Sequence, residues 1–156
     1  MPSLFAKSQS AQRLDELKKL SMFVNLSNRE LKIVSGLMHE REYLQGEVIF
    51  DEGEEGQAIY FVLKGKVMIC PQGQADKPYA FLACSESFGE LALLDDLPRS
   101  GQARAAEACT LGVFFRGDFL RLMNSHVVIA SKITLQLARH LAVRLRGTAR
   151  YTHEPL

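Results

Sequence analysis

The chain has 156 residues, of which 47% are hydrophobic, and a formal net charge of +1. This length suits a single domain that buries about two thirds of its unfolded surface. The balanced charge gives no general attraction to nucleic acid or to an anionic membrane. No run of about 18 apolar residues occurs, and the start MPSLFAKSQS lacks the apolar core of a secretory signal. We therefore expect a cytoplasmic protein with no membrane segment.

The residues that build metal and redox sites are few. Cys70, Cys84 and Cys109 stand far apart within apolar runs, which favours buried free thiols over a disulfide or a metal role. The four histidines form no H-x-H pair and no HExxH helix, and neither a serine elbow nor a kinase signature occurs. We expect no metal and no catalysis. A metal enzyme of the cupin type is the alternative in this class.

Two helices are predicted within residues 1–40. Residues 4–20 form a moderately amphipathic helix. Ser27 and Glu30 have the spacing of a capping box, which starts a second helix that ends at about Met38. The apolar residues on the buried face of this second helix are Leu31, Ile33, Val34 and Leu37.

Residues 41–115 are predicted to form short strands separated by turn residues. Residues 58–63 and 66–70 surround Lys64-Gly65, a pattern typical of a β-hairpin. Residues 102–105 and 110–115 are predicted to be the last strands. About eight strands without helical crossovers indicate an antiparallel β jelly roll or barrel.

The segment 88–100, FGELALLDDLPRS, combines a helix start with two opposite charges. Gly89 opens a short helical turn, and the N–H groups at such a start attract an anion. The planar guanidinium of Arg99 suits phosphate oxygens. Glu90 only accepts hydrogen bonds, which suits a sugar hydroxyl and not a phosphate. Together these groups describe a site for a phosphorylated ribose. The alternative is a surface helix in which Arg99 pairs with Asp95 or Asp96.

This segment resembles the phosphate-binding cassette of the cyclic nucleotide-binding domains, which occur in bacterial catabolite activators, cyclic-nucleotide-dependent kinases and gated channels. The helical lead-in around residues 20–31 is similar as well, and the resemblance covers roughly residues 14–145. The sequence departs from the family pattern at two positions: Ser85 stands where many members have glycine, and Gly101 stands where many have alanine. The resemblance implies one domain over residues 1–156, an eight-stranded antiparallel jelly roll with N-terminal helices and a C-terminal helical lid.

The resemblance also assigns roles within the cassette. Glu90 would bind the ribose 2′-hydroxyl, Arg99 would bind the cyclic phosphate, and Ser100 would add a hydroxyl contact. Backbone N–H groups around Gly89, Leu91 and Ala92 would share the phosphate. The ligand-binding residues implied in the cassette are Phe88, Gly89, Glu90, Leu91, Ala92, Arg99 and Ser100.

Three residues outside the cassette are candidates for contact with the base. By analogy with the family, Val67 and Tyr79 lie on strands that flank the base, although each could equally belong to the core. Arg144 falls where the bacterial activators have base-contacting hydroxyls, and a guanidinium can stack on a purine. Its alternative is a place on a solvated basic face.

The C-terminal region is predicted to be helical from residue 116 to 147. Asp118 is the predicted N-cap of a first helix, and a longer helix runs from Val127 or Val128 to a stop near Gly147. Residues 148–156 are predicted to form a tail, of which residues 151–156 are expected to be disordered. Family members pair through this last helix, which makes a weak homodimer possible here.

The pattern predicts a bacterial-type cyclic nucleotide sensor that prefers cAMP over cGMP and signals to a protein partner by movement of its last helix. Sequence-specific DNA binding is not expected, because no helix-turn-helix follows that helix. The alternatives are a non-sensing scaffold of the same fold, a sensor of another nucleotide such as cyclic di-GMP, and a basic adaptor for nucleic acid.

Overall fold

A computed structural model describes the backbone of residues 4–152 and the side chains of residues 10–147. Two helices, α1 (Leu4–Lys18) and α2 (Asn28–Leu37), precede the strands, and α3 (Arg116–Ser125) and α4 (Val127–Thr152) follow them. A 3-10 helix, Glu90–Leu93, lies within the cassette, and we call it the cassette helix. The strands are β1 (His39–Tyr43), β2 (Val48–Phe50), β3 (Ala58–Lys64), β4 (Val67–Cys70), β5 (Ala80–Leu82), β6 (Ser87–Phe88), β7 (Gln102–Ala105) and β8 (Cys109–Phe115).

The eight strands form two antiparallel four-stranded sheets. One sheet has the order β1-β8-β3-β6 and the other has the order β2-β7-β4-β5. Apolar residues of both sheets share one buried cluster. The architecture confirms the predicted jelly roll with flanking helices, with the difference that the two sheets are not closed into a barrel.

The sequence of strand β3 is apolar at successive positions because both faces of the strand are buried. Ile59 and Phe61 belong to a cluster with apolar residues of the helices, whereas Tyr60 and Val62 belong to the cluster shared by the two sheets. A strand covered on both faces has no solvated side on which polar residues would alternate.

The hairpin predicted at Lys64-Gly65 is wrong. Strand β3 pairs with β6 and β8, whereas β4 pairs with β5 and β7, so the turn carries the chain from one sheet to the other. Gly65 has φ +81°, and a Cβ there would lie 2.3 Å from the carbonyl oxygen of Ala108. Glycine is therefore needed where the chain crosses from one sheet to the other. The sequence of this turn does not distinguish such a crossing from a hairpin.

The capping box at the start of α2 is confirmed. Glu30 donates its backbone N–H to the Ser27 hydroxyl at 3.2 Å, and the Glu30 carboxylate accepts from the Ser27 backbone at 2.9 Å. The predicted N-cap at Asp118 is wrong, because α3 begins at Arg116 and places Asp118 in its first turn, in an ion pair with Arg121.

The stop predicted near Gly147 is also wrong. Helix α4 continues through Gly147 to Thr152, and Gly147 is not among the glycines with a positive φ, the conformation that ends a helix. Residues 148–152 of the predicted tail are therefore helical, and residues 153–156 lie outside the described residues.

The three cysteines are free thiols, as predicted, but they differ in burial. Cys70 and Cys109 are buried, and burial raises the pKa of the Cys109 thiol. Cys84 is exposed in the turn after β5, so its predicted burial is wrong. Within the described part of the chain, no helix combines the length and the hydropathy required to cross a bilayer.

Candidate functional site

A cavity of about 450 Å³ lies between the second sheet, the cassette and α4. This volume is within the usual range for small-molecule pockets. All the predicted site residues except Val67 and Tyr79 line it. Its lining residues are Phe50, Ile69, Ala80, Leu82, Phe88, Gly89, Glu90, Leu91, Ala92, Asp95, Leu97, Pro98, Arg99, Ser100, Gly101 and Arg144.

Gly89 starts the cassette helix and needs to be glycine for two reasons. Its backbone is left-handed, with φ +74° and ψ 22°, a region that other residues rarely adopt. A Cβ there would also lie 2.5 Å from Nη1 of Arg99. Ala92 donates its N–H to the Gly89 carbonyl at 3.1 Å, which closes the first turn. The N–H groups of Glu90 and Leu91 precede this bond, as expected at a helix start.

The Arg99 guanidinium is held at the base of the cavity by backbone carbonyls. Nη2 donates to the Ala58 carbonyl at 2.8 Å, and Nη1 donates to the Gly89 carbonyl at 3.3 Å. Its central carbon lies 4.2 Å from the centroid of the Phe50 ring, close enough for a cation–π contact. A guanidinium has more N–H donors than these two carbonyls use, so donors remain for a ligand.

Arg99 is a partly buried cation, and the Glu54 carboxylate stabilises its charge only from beyond ion-pair distance. Burial lowers the pKa of its guanidinium, but an arginine stays charged in a protein. Among the described residues, no carboxylate lies within ion-pair distance of Arg99. Asp95 instead accepts from the backbone N–H of Leu97 at 3.2 Å. The alternative of a surface helix with an Arg99–Asp95 or Arg99–Asp96 pair is therefore not what the structure shows.

Glu90 is buried in the wall of the cavity and is paired with the last helix. Its side chain is 1% exposed, and it forms an ion pair with Arg144 of α4, whose side chain is 52% exposed. The pair gives the buried carboxylate a counter-charge from α4. The structure thus brings Glu90 and Arg144 together, a pairing that the sequence did not predict.

The loop between β2 and β3 holds the backbone of Arg99 in place. Arg99 donates its backbone N–H to the Glu54 carbonyl at 2.7 Å and accepts from the Gly53 N–H at 2.8 Å. Gly56 packs directly on the site, since a Cβ there would lie 3.1 Å from the central carbon of the Arg99 guanidinium. The Arg99 side chain therefore extends from a backbone that is fixed on both sides.

Gln102 fixes the end of the cassette, a role that the sequence did not reveal. Its side chain is 2% exposed and donates to Asp51 at 2.6 Å. Its amide oxygen accepts from the Gly73 backbone at 3.3 Å and from Nε of Arg104 at 2.6 Å. The hydrogen bond from Gln102 is the main reason why the pKa of Asp51 lies below its usual range.

The apolar wall of the cavity is formed by the two strands expected to flank a base, but through other residues. Ile69 of β4 and Ala80 and Leu82 of β5 line it. Val67 is fully buried in the core, and Tyr79, just before β5, is 61% exposed. Because alternate residues of a strand face opposite sides, a shift of one position would have selected Ala80 and Leu82 from the sequence.

Residues 40–126 match the sequence model of the family described as "Cyclic nucleotide-binding domain", which is more than half of the chain. The jelly roll, the cassette and its cavity agree with this match. The chain belongs to the cyclic nucleotide-binding domain family.

Individual relatives agree with this membership. The chain is similar to the Cyclic AMP receptor protein of Thermus thermophilus, with 35% identity over 80% of this chain and 59% of that protein. It is similar to the cAMP-dependent protein kinase regulatory subunit of Debaryomyces hansenii, with 30% identity over 74% of this chain and 25% of that protein. The chain thus spans less than two thirds of these curated relatives.

A solved structure supports the fold. The cyclic nucleotide-binding domain from Methylobacillus flagellatus superposes with a TM-score of 0.76, covering 94% of this chain and 84% of that one at 20% identity. At that level of identity the likeness establishes the shared architecture alone.

Proposed function

We propose that the cavity binds a 3′,5′-cyclic nucleotide, with cAMP preferred over cGMP, and that binding changes the position of α4 in a cytoplasmic regulatory protein. The observation that supports this most is the Arg99 cation, which faces a cavity of suitable size with no carboxylate within ion-pair distance among the described residues. A partly buried cation that has only neutral hydrogen-bond acceptors is unfavourable, and an anionic ligand would compensate its charge.

The cyclic phosphate would bind between Arg99 and the start of the cassette helix. The N–H groups of Glu90 and Leu91 precede the first helical bond, so they are donors of the kind that bind anions. Ser100 also lines the cavity and would add its hydroxyl. Arginine, helix start and hydroxyl together would hold the phosphate from several sides.

The ribose would place its 2′-hydroxyl on Glu90. A carboxylate accepts hydrogen bonds and cannot donate them, which matches a sugar hydroxyl. The same carboxylate now pairs with Arg144. Because the ribose hydroxyl and Arg144 would bind the same Glu90 carboxylate, ligand binding would rearrange the ion pair and shift α4. The shift would direct the Arg144 guanidinium towards the base.

The base would lie against the apolar wall of Ile69, Ala80 and Leu82. Val67 and Tyr79 stay predictions as base contacts. The preference for cAMP is supported by the names of the two curated relatives, a cyclic AMP receptor protein and a cAMP-dependent kinase regulatory subunit. A shifted α4 would present its altered surface to a protein partner, and a weak homodimer through α4 stays a prediction.

The site favours binding over catalysis. Glu90 is engaged in an ion pair with Arg144, and a contact to a ligand hydroxyl explains this residue without a role as a general base. We propose a sensor and not an enzyme.

A thermal-shift panel tests the proposal. The unfolding temperature is measured with cAMP, cGMP, cyclic di-GMP, 2′-deoxy-cAMP and 5′-AMP, because a ligand that binds only the native state raises its stability. We expect the largest increase with cAMP, a smaller one with cGMP, and little with 2′-deoxy-cAMP. A panel without any increase would contradict sensing and favour the scaffold alternative, whereas a response to cyclic di-GMP alone would identify a different ligand.

A further inference from the structure

Arg116 connects three segments of backbone behind the nucleotide cavity. It is the first residue of α3, and its backbone N–H donates to the Gln57 carbonyl at 2.8 Å. Its side chain is 22% exposed and extends towards the end of the cassette helix. It does not line the cavity and lies outside the cassette, so the cassette pattern gives it no role.

The guanidinium of Arg116 binds the far end of the cassette helix. Nη1 donates to the carbonyl of Ala92 at 3.4 Å and to the carbonyl of Asp95. The Ala92 carbonyl is in the last turn of the cassette helix, where acceptors lack partners within the helix, and Asp95 directly follows its C-cap Leu94. The cassette helix thus has Arg99 near its start and Arg116 at its end.

The same nitrogen also fixes the opposite wall of the Arg99 site. Nη1 donates to the Gly56 carbonyl at 3.3 Å, and Nη2 lies 3.9 Å from the Glu55 carboxylate. Gly56 packs on Ala92 and on the Arg99 guanidinium, since a Cβ at Gly56 would lie 3.0 Å from the Ala92 Cβ. Arg116 therefore holds together the two backbone segments between which the Arg99 side chain lies.

We propose that Arg116 is a positioning residue for nucleotide binding: it anchors the end of the cassette helix to the loop beside Arg99 and to the start of α3. This inference rests on the proposed function for its effect on ligand affinity. Nη1 contacts the three carbonyls while Nη2 lies near the Glu55 carboxylate, so the two ends of the guanidinium have different partners, which the single ammonium group of lysine cannot reproduce. Since α3 packs on α4, the anchor also ties the cassette to the helix pair that includes Arg144.

Two variants and one control test the inference. Arg116→Ala removes the anchor, and Arg116→Lys keeps the charge without the fork. Arg121→Ala is the control, because Arg121 lies on the same helix, is 77% exposed, and pairs with Asp118 rather than with the cassette. Hydrogen exchange is measured without nucleotide at the amides of Ala92, Leu94 and Asp95, which all bond within the cassette. Calorimetry then gives the affinity of each variant for cAMP.

We expect exchange at these three amides to accelerate about tenfold in Arg116→Ala, with the slow amides of β3 and β8 unchanged. The affinity of Arg116→Ala for cAMP falls by a similar factor. Arg116→Lys has an exchange rate and an affinity between those of Arg116→Ala and the wild type, and Arg121→Ala has those of the wild type. Equal acceleration across β3, β8 and the cassette would show a purely structural role and overturn the inference, as would unchanged exchange and affinity. If the wild type binds no cyclic nucleotide, the proposed function fails by itself, and exchange at the cassette still decides whether Arg116 anchors it.

Discussion

Arg144, near the end of the last helix, forms an ion pair with Glu90, the most buried acidic residue of the cassette. The pair joins α4 to the predicted ribose acceptor across the cavity. It is also unequal, because Glu90 is 1% exposed whereas Arg144 is 52% exposed. Removal of Arg144 therefore affects stability differently from removal of Glu90.

We predict that Arg144→Ala destabilises the protein more than the double variant Glu90→Gln/Arg144→Ala does. The single change leaves a buried carboxylate without its counter-charge, whereas the double change removes the charge as well. Because Arg144 is half exposed, the difference should be modest, about 1 kcal/mol in the free energy of unfolding. Urea unfolding of the wild type, both single variants and the double variant measures it. Additive effects of the two single changes would contradict the coupling.

A second prediction concerns the two roles of Gly89. Gly89→Ala should lower the free energy of unfolding by about 1 kcal/mol, since alanine is strained at φ +74°. It should also lower nucleotide affinity by at least about tenfold, because the new methyl group would displace the Arg99 guanidinium.

Gly46→Ala is the matched control for this strain. Gly46 has φ +86°, but a Cβ there meets nothing within 4 Å. Both variants should lose stability in thermal unfolding, and only Gly89→Ala should lose affinity in calorimetry. Equal affinity in the two variants would show that the contact with Arg99 does not matter for binding.

The cassette was the part of the site that could be predicted from the sequence. Gly89, Glu90 and Arg99 are close in the chain, so the residue types and spacing of one short segment identify them, although distant carbonyls at Glu54 and Ala58 hold Arg99 in place. The same holds for the capping box of Ser27 and Glu30, which lies within one helical turn.

Features that depend on distant segments were not predictable in this way. The turn at Gly65 satisfies a hairpin pattern, but its sheet partners are chosen by packing far along the chain. Residues 79–84 are all apolar, so the sequence does not indicate which face of β5 lines the cavity. Tyr79, just before the strand, was therefore selected and Ala80 was missed. Arg116 belongs to no local motif, since its carbonyl partners lie 21 to 60 residues away.

A third prediction concerns pH and the contact between α2 and α4. The hydrogen bond from Lys132 to Glu30 at 2.7 Å is the main cause that lowers the pKa of Glu30 below its ordinary value of 4.5. A carboxyl group with a lowered folded-state pKa stabilises the protein above its ordinary pKa, and this contribution is lost as pH falls through the lowered value.

Stability should therefore decrease as pH falls below 4.5, and Glu30→Gln should remove part of this dependence. The effect should be roughly 0.5–1 kcal/mol, because Lys132 is more than a third exposed. Denaturant unfolding from neutral to acidic pH measures it, and Asp15→Asn, at an exposed position of α1, serves as a control. An identical pH dependence in the wild type and Glu30→Gln would contradict the assignment.

A fourth prediction follows from the different burial of the cysteines. A chromogenic thiol reagent should modify Cys84 quickly in the native protein, while Cys70 and Cys109 react only after unfolding, because reagents need access to the thiolate. Cys84→Ser should abolish the fast phase. A fast phase that persists in this variant would show that one of the buried thiols is accessible.

The central claim is that Arg99 binds the phosphate of a cyclic nucleotide, and calorimetric titration of cAMP into the wild type, Arg99→Lys and Arg121→Ala tests it most directly. Arg99→Lys keeps the positive charge but loses the planar fork that the Ala58 and Gly89 carbonyls orient. We predict saturable binding by the wild type and by Arg121→Ala, and a loss of about 2–4 kcal/mol in Arg99→Lys. Wild-type affinity in Arg99→Lys, or no binding heat in the wild type, would contradict the account.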